Sequence, residues 1–314
     1  MSRPAIALPR LTIVVGKGGV GRSTLAAAMG LVLARRGLRT MVVEVAGRQT
    51  VPAMFGTEPR GYEPVKCSDL LWTMQVTWED ALREYGLMKL YFRAAYRMVF
   101  ENAFARRLLP AIPGLAEILV IGKVLYLATD GAPGLGRVDA VVLDAPATGH
   151  GVSLLAAPMV VSDTVPSGPL AEDARRLKAL LLDTAFTRLH IVTTPEEMPV
   201  AESVELFDAL GRTYGLPFGP VLVNGVQARS LRPAQREALD LLCRGRSDSV
   251  AAAAQGAMFM AARHDMQRSH LTRLARHVPL PLVKLPDVPG ARSPRDRLDV
   301  LAGHLDSRMW REGR

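Results

Sequence analysis

A chain of 314 residues that is 49% apolar is long enough for one large α/β domain or two modest ones, and too apolar for global disorder. Its two cysteines, Cys67 and Cys243, stand far apart; this excludes a disulfide framework, a cysteine zinc site and an iron–sulfur cluster held by this chain alone, and it fits a reducing, cytoplasmic compartment. The formal charge of +9 comes mostly from arginines scattered through helical stretches rather than gathered in one tract, so no nucleic-acid partner is expected.

The first apolar run, Leu11–Val15, is strand-length and opens straight into a glycine loop, which reads as a strand and not as a signal peptide. The loop is Gly16, Lys17, Gly18, Gly19, Val20, Gly21, Arg22, Ser23, Thr24, and a helical stretch over Ser23–Arg36 follows it. Strand, glycine loop, helix is the context in which backbone N–H groups converge on phosphate oxygens and the helix dipole adds to the attraction. The expected ligand is a nucleoside triphosphate, ATP, with Mg²⁺ on the Ser23 hydroxyl and Thr24 near the α-phosphate. Arg22 stands where such loops normally carry lysine. Its planar guanidinium is not equivalent to a compact ammonium, so binding is expected to survive better than transition-state geometry.

Further apolar, β-branched runs follow at Thr40–Val45, Leu71–Val76, Ala140–Leu143, Leu189–Thr193, Pro220–Val223 and Leu280–Leu285, with helical stretches such as Pro199–Arg212 and Pro294–His304 between them. Continuous apolar strands are buried on both faces, which predicts an α/β fold: a doubly wound, mostly parallel sheet in a single domain spanning 1–314, with ligands at the C-terminal strand ends. Two segments break the rhythm, about 77–128 and 157–183, and read as an inserted helical subdomain at the nucleotide end. In the first, Lys89, Arg93, Arg97 and Glu101 form one narrow polar stripe on an otherwise apolar helix over Leu87–Phe104. That helix is either part of a groove or an ordinary packed cap. The longest apolar stretch, Ile112–Ala128, is interrupted by Glu117 and Lys123, so no transmembrane segment is expected. Near the C-terminus, Leu298, Leu301, Leu305 and Met309 form a stripe beside Asp296, Asp299 and Asp306, which favours a core-packing helix over a membrane-surface one.

The order G-K-G-G-x-G, with Lys17 just inside the loop, resembles the deviant Walker A motif of the signal-recognition/MinD/BioD class. Asp144-Ala145-Pro146-Ala147-Thr148-Gly149-His150 resembles the D-T-A-P-T-G-H switch II segment of the ArsA family, which includes arsenite-pump ATPases and the eukaryotic ATPase that targets tail-anchored membrane proteins. Weaker matches continue through Leu154, Leu155 and Pro158, Pro113-Gly114 with Glu117, Pro195-Glu196 with Glu202, Val223-Asn224, and Leu285-Pro286 with Gly290. The resemblance implies a dimer of the chain with itself or a close paralogue, in which Lys17 reaches across to the partner's γ-phosphate. It implies that Asp144 holds Mg²⁺ through water, that Thr148, Gly149 and His150 sense the γ-phosphate, that Asn224 reads adenine, and that Pro286, Asp287 and Val288 close over base and ribose. From the residues alone, Asn224 is also a strand-end turn residue and His150 an inert loop histidine. The family's inserted helices build a hydrophobic groove, so a hydrophobic client or membrane-protein partner is implied.

The chain departs from the family where strand two ends. The family's aspartate that positions the attacking water is replaced by Ala46 in Ala46-Gly47-Arg48-Gln49, and Glu44 lies two residues upstream. Losing a positioned base costs a factor of about 10²–10⁴; Glu44 is the candidate substitute. The stretch from Glu44 to Gln49 also resembles V-E-x-x-G-K/R-Q of a bacterial subgroup. The expected function is an ArsA-type ATPase. The alternatives are a catalytically weakened ATP-binding subunit of a hetero-oligomer and a MinD/ParA-like positioning ATPase.

Overall fold

The computed structural model describes residues 8–45, 47, 49–89, 112–132, 134–227, 231–244 and 248–309. Ala46, Arg48 and most of the predicted Leu87–Phe104 helix lie outside the described residues.

Eight strands form one sheet: β1 (Leu11–Gly16), β2 (Thr40–Val45), β3 (Val65–Ser68), β4 (Leu71–Val76), β5 (Ala140–Asp144), β6 (Thr187–Thr193), β7 (Val221–Val226) and β8 (Leu282–Pro286). Their order is β3-β4-β2-β5-β1-β6-β7-β8, and all pairings are parallel except β3 with β4. The predicted parallel α/β sheet is therefore present, with every predicted strand found. The chain steps from β1 outward to β2 and β4, returns to insert β5 beside β1, then continues on the other side through β6. That reversal brings the C-terminal ends of β1, β5 and β6 together as the ligand-binding crevice of such sheets.

Pleating sends alternate side chains to opposite faces. Leu11, Ile13 and Val15 of β1 enter one core cluster, while Val14 enters the other. The second cluster packs α1 (Arg22–Arg35) and α10 (Pro294–Met309) on the sheet. Leu298, Leu301 and Leu305 are buried there, so the C-terminal stripe is a core face, as its acidic neighbours indicated.

The first cluster carries α4 (Leu115–Thr129), α5 (Thr148–Thr164), α7 (Glu197–Leu206), continued by a wider turn to Thr213, and α9 (Ser249–His277). Two further helices, α3 (Trp78–Lys89) and α6 (Pro169–Leu182), flank α4, and α8 (Pro233–Cys243) pairs with α9. The stretch 157–164 continues α5, with Pro158 inside it. Ile121, Val124 and Leu127 of α4 are fully buried in the cluster that includes the sheet. Among the described residues no helix is long and apolar enough to cross a membrane.

Candidate functional site

The loop after β1 enters α1 at Gly21, whose φ of 91° is left-handed and whose carbonyl accepts from the Leu25 N–H at 2.9 Å. A Cβ at Gly21 would lie 2.4 Å from Nδ2 of Asn224, so only glycine meets both the dihedral and the close approach. The Asn224 amide, expected against adenine, donates to the Val20 carbonyl at 3.0 Å and clasps the loop from the end of β7. The first turn of α1 contains no acidic residue, leaving its N–H groups and dipole free for an external anion.

Asp144 ends β5 and is 7% exposed. Its Oδ2 accepts from the Ser23 hydroxyl, while its Oδ1 is buried with no hydrogen-bond partner among the described residues. Burial pushes this carboxyl above its ordinary range; the Ser23 hydrogen bond and the Arg22 charge pull the other way. A buried, unsatisfied carboxylate oxygen beside a hydroxyl is a deficit that a hard cation removes. The donor set suits Mg²⁺, which takes few protein ligands and completes its shell with water and phosphate oxygens. Arg22 turns its guanidinium onto the Ala145 carbonyl, joining the loop to the segment after β5. Burial lowers its pKa, with the Asp144 charge opposing.

Glu44 is paired in register with Asp144 across β2 and β5, so the two residues are neighbours on the sheet. Its Oε1 accepts from the Thr50 N–H at 2.7 Å, the Thr50 hydroxyl at 2.9 Å and the Val51 N–H at 3.2 Å. It thus caps the short helix α2 (Val51–Met54). Burial raises its pKa; the bonds from Thr50 and Val51 lower it, and Asp144 raises it further.

Lys17 Nζ lies 2.5 Å from Glu202 Oε1 on α7, and the Thr148 hydroxyl donates to Glu202 Oε2 at 3.3 Å. One carboxylate therefore gathers the loop lysine and the first residue of α5. Gly149 and His150 follow Thr148 at the surface. In the sequence, Glu202 was only one of several weak family matches; its partnership with Lys17 spans 185 positions and has no local signal.

Pro286 pairs with Val226, and the Asp287 N–H donates to the Val226 carbonyl at 3.2 Å, placing Pro286–Val288 at the same sheet end, beside the strand that bears Asn224. Behind this turn, buried Gln267 of α9 donates to the Gly225 carbonyl at 3.1 Å and accepts from the Gln227 N–H at 2.9 Å. Nothing in the sequence pattern marked it. The loop Gly16–Thr24, Asp144, Thr148 and Asn224 thus meet in one crevice, with Pro286–Val288 on its β7–β8 side and Glu44 turned aside to α2.

The family model described as anion-transporting ATPase matches residues 9–167, just over half of the chain. ATPase BagA of Mycobacterium tuberculosis (strain ATCC 25618 / H37Rv) is 34% identical over 224 residues, covering 68% of this chain and 64% of the relative. A putative arsenical pump-driving ATPase of Prosthecochloris vibrioformis is 28% identical over 254 residues, covering 68% and 60%. ATPase ARSA1 of Chlamydomonas reinhardtii is 25% identical over 272 residues, covering 68% and 35%. The chain therefore spans less than two thirds of the length of these relatives.

Proposed function

The chain belongs to the anion-transporting ATPase family, and from that premise we propose that it binds Mg·ATP at Gly16–Thr24 and hydrolyses the β–γ bond as a nucleotide-switched dimer. The observation that carries this reading is the meeting of the glycine loop with Ser23 and Asp144 beneath an uncapped helix N-terminus. The loop N–H groups bind and orient the triphosphate. Ser23 and Asp144 would hold Mg²⁺, which would supply charge neutralisation at the phosphates. Thr148, released from Glu202, senses the γ-phosphate, and Lys17 of each protomer neutralises charge on the oxygen that leaves the other protomer's γ-phosphorus. A cation delivered in this way is worth about 10³–10⁵ in rate.

An apolar pocket of about 320 Å³ between α3, α4 and α6, lined by Leu115, Leu119, Leu170 and Leu177 among others, supports coupling to a hydrophobic client or membrane-protein partner. Coupling requires only that ATP bind the dimer closed on that partner better than the open one.

A second reading, an ATP-binding subunit without its own turnover, is favoured by Glu44. Its lone pairs are engaged by Thr50 and Val51, and using it as the base would uncap α2. Steady-state phosphate release with Mg·ATP, beside Lys17→Ala, separates the two. Turnover lost in the variant supports the ATPase. Tight ATP binding with no turnover in either protein establishes the second reading.

A further inference from the structure

A second cavity, about 530 Å³, opens between α9 and the edge strand β8, and no residue of the glycine loop lines it. His264, Arg268, Thr272 and Arg276 line it at four-residue intervals, along one slanting ridge of α9 that spans about 18 Å of its axis at 1.5 Å per residue. Lys284 faces them from β8, and Leu271 and Leu282 lie among the lining residues. None of the described lining residues is acidic.

The pairing of cations elsewhere on this surface makes the contrast. Arg263 of the same helix reaches Glu196, and Arg236 of α8 holds Asp265 at 2.7 Å. Arg268, Arg276 and Lys284 make no ion pair among the described residues, although they converge on one concavity. Three like charges around a cavity with apolar walls repel one another and focus a positive field into it. An anion relieves that repulsion. Two guanidinium forks and an ammonium suit phosphate oxygens, the arginines bidentately and the lysine as a point charge.

We propose that this cavity binds a soluble small molecule carrying two or more phosphate groups. Its volume falls within the range of small-molecule pockets, and its concave form between helix and strand favours such a ligand over an extended polymer or a flat lipid surface. Gln267 lines the same cavity and is hydrogen-bonded to the turn after β7, so the ligand rests against the support of the strand that bears Asn224.

The test is calorimetric titration of sodium tripolyphosphate into the full chain without nucleotide or magnesium, where any binding at the loop is a separate event that the cavity variants leave unchanged. A parallel titration into Gly21→Ala keeps the outcome independent of the nucleotide reading. Wild type and Gly21→Ala are expected to bind one tripolyphosphate at the cavity. Arg268→Ala/Arg276→Ala is expected to weaken that event at least tenfold, as is Lys284→Gln on the separate strand, with thermal melting unchanged in the latter. Absence of the event in wild type, or wild-type affinity in both cavity variants, overturns the proposal. Binding of the chain to vesicles containing 20% anionic phospholipid, with no tripolyphosphate binding, also overturns it and assigns the patch to a membrane surface.

Discussion

The loop lysine Lys17 is held at 2.5 Å by Glu202 of its own chain, and the same carboxylate accepts from Thr148. A lysine engaged in this way is withdrawn from any second molecule. The two side chains are 31% and 21% exposed, so the pair itself contributes little stability and opens readily. Glu202→Gln is therefore expected to leave the melting temperature nearly unchanged and to raise the fraction of dimer at subsaturating ATP. Analytical ultracentrifugation across an ATP series measures this; an unchanged dimer fraction removes the latch.

Asp144 carries a charge that burial disfavours. Asp144→Asn keeps the shape, removes that charge, and is expected to maintain or raise thermal stability while lowering turnover by about 10² or more. Melting curves and phosphate release on one preparation check both halves. A variant that loses stability together with activity contradicts the assignment.

Gly21→Ala introduces a side chain at a left-handed dihedral and against the Asn224 amide. The amide can move, but the dihedral strain cannot, and it is on the order of 1–2 kcal/mol. Gly21→Ala/Asn224→Ala is therefore expected to bind ATP no better than Gly21→Ala alone. Recovery in the double variant would assign the defect to the contact.

His190 of β6 is buried, with Nδ1 2.9 Å from the Pro220 carbonyl, and burial lowers its pKa to about 4 from 6.5. Between those values the unfolded chain binds the proton and the folded chain does not, so stability falls as pH falls from 6.5 towards 4. The full effect is about 3 kcal/mol. Urea unfolding from pH 7 to 4.5 is expected to show a shallower loss in His190→Gln than in wild type.

Lys123 is 5% exposed, pairs with Glu84 at 2.7 Å and stands 5.2 Å from the ring centres of Tyr62 and Tyr126. Lys123→Ala leaves the Glu84 carboxylate without its cation and is expected to cost about 3 kcal/mol. Lys123→Met/Glu84→Gln restores apolar volume and removes the orphaned charge, and is expected to recover much of that loss in the same urea assay.

The central strands were legible because their apolar runs have no polar face to hide, and the glycine loop because its conformational demands select residues locally. The edge strand β3 was not. Val65–Ser68 is four residues long with exposed Lys66, and only its antiparallel partner β4 makes it a strand. The 29-residue helix α9 has no sharp signal of its own, because exposed Phe259, Met260 and Met266 blur its apolar face. Contacts made across the fold, Lys17 with Glu202 and Gln267 with the β7 turn, leave no trace at either end of the sequence. Glu44 was legible as an acid near the site, but its capping of α2 depends on where the chain turns after β2.

The insertion of β5 between β2 and β1 also sets a schedule. Leu11 meets Val141 and Thr40 meets Ala140, so the middle of the sheet cannot close until a hundred or more further residues have left the ribosome. Before then β1 has neither its neighbour nor Asp144, and the triphosphate site proposed at the glycine loop is incomplete. Nucleotide can therefore stabilise only the finished sheet, by mass action on the native state, and cannot template its early assembly. A ribosome-bound chain ending before β5 should ignore ATP, whatever its length.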